Sequence, residues 1–135
     1  VLGLVDGEGS FTVYLRDLLD SRERKRRVRA ELRFYLKLVE KDKKILYQLQ
    51  KFFSCGSVYF QRDRRRSHQN CYRYEVASRE DLRKKIVPFF LENRPLLVTK
   101  KADFNRFLKL LAMMEEGKHL TNRGLNEMRR IKRGA

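Results

Sequence analysis

Two stretches of this chain alternate apolar and polar residues so regularly that they constrain the fold more than any other feature. In "SFTVYLR", residues 10–16, Phe11, Val13 and Leu15 fall on one side, and Ser10, Thr12, Tyr14 and Arg16 on the other. In "RVRAELRFYLKLV", residues 27–39, Val28, Ala30, Leu32, Phe34, Leu36 and Leu38 share one side, opposite Arg27, Arg29, Glu31, Arg33, Tyr35 and Lys37. Side chains alternate across a strand, so each run predicts a β-strand buried on one face only. "SVYFQR" and "CYRYEVA" read as two further strands, joined by the arginine-rich "DRRRSHQN", and residues 17–26 as a charged loop.

Between and after the strands the apolar period changes to that of helices. Ile45, Leu46, Leu49, Phe52 and Phe53 follow Asp42, a suitable N-cap. Ser78 and Asp81 resemble a capping box, and Pro88 is expected to bend or end the helix that follows. Thr99 is expected to cap a helix bearing Phe104, Phe107, Leu108 and Leu111. Thr121 caps a last one, with Leu120 and Leu125 at staple positions. The first residues, Val1 to Gly7, read as the end of a helix that the chain enters already under way, so residues ahead of Val1 are expected. The predicted order is α-β-β-α-β-β-α-α-α. The expected fold is α+β: an antiparallel four-stranded sheet with helices packed on one face. At 135 residues the chain fits one domain. It divides into a helix over 1–9, a sheet over about 10–77 and C-terminal helices over about 79–132.

The free face of that sheet carries Arg, Lys, Tyr, Gln, Ser and Thr, and composition says what such a face meets. There are 33 Lys and Arg against 17 Asp and Glu, a formal net charge of +16. The pI is near 10.3, in the range of nucleic-acid binders. Cys55 and Cys71, His68 and His119 have no zinc spacing, and the cysteines are expected to be free thiols of an intracellular protein. No apolar run is long enough to span a membrane and no signal peptide is visible. The candidate DNA-contacting residues are Ser10, Thr12, Tyr14, Arg16, Arg27, Arg29, Arg33, Tyr35, Lys37, Gln61, Arg62 and Arg73.

The segment "GLVDGEGSF" places acids among glycines. Gly3 and Gly7 are one helical turn apart and leave a stripe without side chains, which lets a second helix approach closely. If a second copy packs the same stripe across a two-fold axis, Gly3, Leu4 and Gly7 form the interface and Glu8 meets its symmetry mate. Facing carboxylates repel unless cations intervene. Hard oxygen ligands suit Mg²⁺, which also serves phosphodiester cleavage.

"VLGLVDGEG", Val1 to Gly9, resembles the motif that names the LAGLIDADG homing endonucleases. Gly3, Leu4, Asp6 and Gly9 match outright, Val5 and Glu8 conservatively, and Leu2 stands where the family has a small residue. The element order, and the stretch "LLVTKKADFNRF…HLTNRGLNEMRRIK", extend the resemblance toward the single-chain fungal mitochondrial members, especially their second halves. The resemblance implies a saddle-shaped DNA-binding sheet and site-specific double-strand cleavage. It also implies Mg²⁺ as cofactor, with Mn²⁺ able to substitute and Ca²⁺ binding without supporting cleavage. Glu8 is implied as metal ligand, aided by the Gly7 carbonyl, with Asp6 supporting the helix end. A catalytic lysine is implied at Lys100, with Lys101 as the alternative, and Glu40 or Val39 stands where a water-positioning residue can occur. One motif in this sequence implies a homodimer on a long near-palindromic DNA site, or one half of a two-motif protein, and no small-molecule substrate. An organelle or a prokaryotic cytoplasm is the implied compartment. A group I intron RNA maturase and a noncatalytic DNA-binding protein of the same fold are the alternative functions.

Overall fold

The computed structural model describes residues 1–20, 25–62 and 70–134, with the backbone alone at 16–20 and 25–28. Helix α1 (Leu2–Glu8) leads into strands β1 (Gly9–Asp20) and β2 (Lys25–Val39). A 3₁₀ turn (Glu40–Asp42) then leads to α2 (Lys43–Phe53), β3 (Ser57–Gln61) and β4 (Cys71–Val76). The strands form one antiparallel sheet in the order β1-β2-β4-β3. Helical segments α3 (Arg79–Asp81) and α4 (Val87–Glu92) flank a π-helical turn (Leu82–Ile86), and α5 (Lys101–Glu115) and α6 (Asn122–Lys132) complete the chain.

The alternation of the sequence becomes the two sides of this sheet. Phe11, Val13, Ala30, Leu32, Phe34, Leu36, Tyr74 and Val76 are buried beneath the helices. Phe11 is central: its ring lies 5.1 Å from Phe34, 5.3 Å from Phe90, 5.1 Å from Phe104 and 5.4 Å from Phe107, tying two strands to two helices. Tyr74 is wholly buried and its hydroxyl donates to the Cys55 carbonyl at 2.8 Å, so burial of this polar group leaves it satisfied. Neither cysteine forms a disulfide among the described residues.

Four local expectations need correction. Residues 17–20 and 25–26 are strand rather than loop, because the hairpin ladder continues through Asp17↔Val28 to Asp20↔Lys25. Backbone pairing in a ladder does not depend on side-chain charge. Residues 21–24 of that expected loop, and the loop 63–69, lie outside the described residues. Pro88 does not end its helix: the wider π turn at Leu82–Ile86 precedes it and the helix runs on to Glu92. A proline ring crowds the preceding turn and lacks an N–H, and an inserted residue relieves both. Thr99 does not cap α5, whose N-cap is Lys100 with no side-chain cap bond. Leu120 is 78% exposed and forms no buried staple with Leu125. The caps read at Ser78 and Thr121 are present: Ser78 Oγ accepts from Asp81 N, and Thr121 Oγ1 from Gly124 N at 3.0 Å.

Candidate functional site

Helix α1 is anchored by Val5, fully buried against the sheet. Three glycines in and beside it behave differently. A Cβ on Gly9 would sit 2.7 Å from both the Val5 carbonyl oxygen and its Cγ1, so the packing of α1 on β1 demands a glycine there. A Cβ on Gly3 or Gly7 would meet nothing within 4 Å. Neither glycine is required by this chain's own packing, and together they present bare backbone to the outside. Exposed apolar residues flank the stripe. Val1, Leu4, Ile45, Leu49 and Phe52 line a groove between α1 and α2, and Val98 is 80% exposed beside the 98–100 turn.

The two acids of α1 diverge. Asp6 Oδ1 accepts from the backbone N–H groups of Val98 and Lys100, both at 3.0 Å. The Lys100 backbone hydrogen bond, aided by that of Val98, holds the Asp6 carboxyl below its usual range. Asp6 therefore ties α1 to the turn that enters α5, by accepting from Val98 and from the N-cap residue Lys100. Glu8 is exposed, and no hydrogen bond or ion pair engages its carboxylate among the described residues. It stands at the C-terminal end of α1 beside the last helical carbonyls, Gly7's among them, where oxygen ligands and negative partial charge concentrate. No group of three His, Cys, Asp or Glu able to hold a metal occurs within the chain, among the described residues.

Lys100 is half-buried and its backbone is bonded to Asp6, whereas Lys101 opens the first turn of α5 and is exposed. Glu40 lies just past the end of β2, its N–H bonded to the Asn70 carbonyl at 3.0 Å, while Val39 is the last paired residue of β2, opposite Cys71.

The wet face of the sheet collects most of the expected DNA-contacting residues. Ser10 lies opposite Tyr35, Thr12 opposite Arg33, Tyr14 opposite Glu31 and Arg16 opposite Arg29. Lys37 lies opposite Arg73, which pairs on its other side with Tyr59, and Gln61 lies opposite Cys71. Arg27 is placed by its backbone on β2, opposite Leu18, and Arg62 is exposed just past β3. These residues do not all stand free. Arg33 and Arg73 are only 21% and 12% exposed and lie in a network with Glu31 and Glu75, whereas Arg29 is 68% exposed. Sequence reasoning missed Glu75 and Tyr59. The alternation of "CYRYEVA" does carry the signal for Glu75, since it places that acid two residues from Arg73 on the same face.

The sequence matches the family model described as LAGLIDADG endonuclease over residues 1–111. The chain belongs to the LAGLIDADG endonuclease family. Among LAGLIDADG relatives, it is 40% identical over 132 residues to "Probable intron-encoded endonuclease 3" of Neurospora crassa, covering 96% of this chain and 23% of that protein. It is 31% identical over 129 residues to "Probable intron-encoded endonuclease 2" of the same organism, covering 95% and 26%. This LAGLIDADG chain thus spans about a quarter of the length of both. Among solved structures it resembles the homing endonuclease I-TnaI, with TM-score 0.78 and 36% identity, over 97% of this chain and 82% of that one. It also resembles I-SmaMI bound to uncleaved DNA target in the presence of calcium ions, with TM-score 0.82 and 28% identity, over 98% of this chain and 42% of that one. A four-stranded antiparallel sheet with helices is therefore the LAGLIDADG homing endonuclease fold in this chain as in those. No helix is long and apolar enough to cross a membrane, among the described residues.

Proposed function

We propose that this chain is a site-specific double-strand DNA endonuclease that works as a homodimer, with one Glu8 from each copy at the junction of two α1 helices. The observation that carries the reading is the pairing of features on α1: a bare Gly3/Gly7 stripe that the chain's own packing does not need, and an exposed, unengaged carboxylate at its end. A second copy packed on the stripe through Gly3, Leu4 and Gly7 brings the two carboxylates together. The overlap with the homing endonuclease I-TnaI, at 82% of that chain, supports a nuclease chain little longer than this one.

The residues fit a divalent cation. Glu8 and the Gly7 carbonyl are hard oxygen donors at a helix C-terminus, and the Glu8 carboxylate has no partner among the described residues; such a donor set suits Mg²⁺. Bound there, Mg²⁺ (or Mn²⁺) would supply Lewis-acid stabilisation of phosphate charge and a more acidic water, whereas Ca²⁺ would hold DNA without cutting. In the reaction, a water oxygen forms a bond to phosphorus as the bond to the leaving sugar oxygen breaks. The water loses a proton, the sugar oxygen gains one, and a phosphomonoester and a hydroxyl result. Lys100, fixed next to α1 through Asp6, places an ammonium where charge develops on the phosphate. Ser10, Thr12, Tyr14, Arg29, Arg33, Tyr35, Lys37, Gln61, Arg62 and Arg73, with Arg16 and Arg27 further along the hairpin, hold a long near-palindromic duplex by its groove and phosphates.

The test is cleavage of duplex targets selected from a randomised library, in Mg²⁺, in Ca²⁺ and in EDTA. Double-strand cutting in Mg²⁺ alone is the expected result. Binding without cutting in Mg²⁺ would favour the RNA maturase or noncatalytic alternatives and overturn this proposal.

A further inference from the structure

We propose that Glu75 is a positioning residue for base recognition: its carboxylate fixes Arg33 and Arg73 on the wet face of the sheet and so sets which bases the chain accepts. The inference rests on the reading of that face as the DNA-reading surface.

Glu75 lies on β4, between Tyr35 of β2 and Ser57 of β3, in the four-stranded part of the sheet. Its Oε1 accepts from Arg33 Nη1 at 3.3 Å and from Arg73 Nη2 at 2.8 Å, and its Oε2 from the Tyr59 hydroxyl at 3.3 Å. Arg33 is held at its other terminal nitrogen by Glu31, 2.8 Å away. The guanidinium of Arg73 lies 3.6 Å from the Tyr35 ring centroid and that of Arg33 lies 4.9 Å from the Tyr14 centroid. The carboxylate itself is only 15% exposed. Three side chains, one from each of β2, β3 and β4, therefore converge on one acid, and an aromatic ring lies against each arginine.

A carboxylate here acts against affinity for DNA, since phosphates repel it and the chain otherwise carries an excess of sixteen positive charges. What it contributes is geometry. An unrestrained arginine is long and flexible, and its charge follows any nearby phosphate regardless of sequence. A guanidinium pinned by carboxylates at its terminal nitrogens and held against a ring presents its remaining N–H groups in one fixed plane, the requirement for bidentate bonding to guanine O6 and N7. The Nε atoms of Arg33 and Arg73 are buried without hydrogen-bond partners among the described residues. Any recognition must therefore use the terminal nitrogens whose orientation Glu75 and Glu31 determine.

Two consequences have opposite signs. Glu75→Gln keeps the shape of the side chain and removes its charge. Affinity for non-specific duplex should rise, and discrimination among bases should fall about fivefold or more at the affected positions. The dependence of log affinity on log salt should steepen by up to about 0.9 for each arginine freed to reach a phosphate. A purely structural role would lower thermal stability and leave the base profile unchanged.

The experiment is selection of bound sites from a randomised duplex library in Ca²⁺, followed by affinity measurement on single-base variants, for the wild type, Glu75→Gln and Glu75→Asp. Glu75→Asp retains the charge but is too short to hold both arginines, and keeps the test decisive should Glu75→Gln fail to fold. Weakened base preference with unchanged or tighter non-specific binding supports the proposal. A folded variant with the wild-type base profile overturns it. A wild type without any base preference would instead overturn the endonuclease reading on which the inference rests.

Discussion

At the residue scale, the acids of this basic chain have separate roles that their surroundings define. Asp6 joins α1 to the start of α5 through two backbone N–H groups, and Glu8 two residues later has no hydrogen-bond or ion-pair partner among the described residues. Asp6→Ala should lower the melting temperature and loosen Lys100, whose backbone it holds. The same reasoning separates the adjacent lysines. Lys100→Met should slow cleavage at least tenfold with DNA affinity little changed, while Lys101→Met, on an exposed site, should affect cleavage far less; single-turnover rates at saturating enzyme give the comparison. The places of Asp6 and Glu8 in α1 were open to sequence reasoning because the motif sets them. The bonds of Asp6 to Val98 and Lys100 were not, since they join residues more than ninety positions apart. Glu75 shows the same limit: alternation puts it on the wet face, but its convergence with Arg33 depends on the pairing of β2 with β4.

At the scale of elements, the glycines of α1 make a differential prediction. A Cβ at Gly3 or Gly7 meets nothing within 4 Å among the described residues, so for Gly3→Leu and Gly7→Leu circular dichroism should report a folded protein while sedimentation reports loss of the proposed dimer. Gly9→Ala places a Cβ 2.7 Å from the Val5 backbone and should destabilise the fold by about 1–3 kcal/mol in denaturant titrations. An unchanged dimer for Gly7→Leu would count against the packing of two α1 helices. The strands themselves were legible, since strict alternation in "SFTVYLR" and "RVRAELRFYLKLV" has one structural solution. Their lengths were not. Asp17 to Asp20 carry loop-like composition, yet the ladder with 25–28 extends through them, because a hairpin pairs backbones irrespective of side-chain charge. Pro88 misled for a related reason: its local rule stands, but a π turn absorbs the missing donor while Phe90 remains wholly buried in the core.

At the scale of the whole molecule, charge and burial govern behaviour in solution. With several phosphates neutralised per copy, log affinity for DNA should fall by about 0.9 per phosphate for each unit of log salt. Stability should also depend on pH through His119, whose imidazole is held below its usual value by burial and by the nearby Arg79 charge. The unfolded chain takes up that proton at a higher pH than the folded one, so stability falls as pH drops below the mid-six range, and His119→Gln should flatten melting curves between pH 7 and 5. The central claim concerns Glu8, and Glu8→Gln tests it most directly: binding and cleavage of a selected target duplex, measured side by side in Mg²⁺. The account predicts duplex binding within a few-fold of wild type and no detectable cutting of either strand; cutting at the wild-type rate would contradict it.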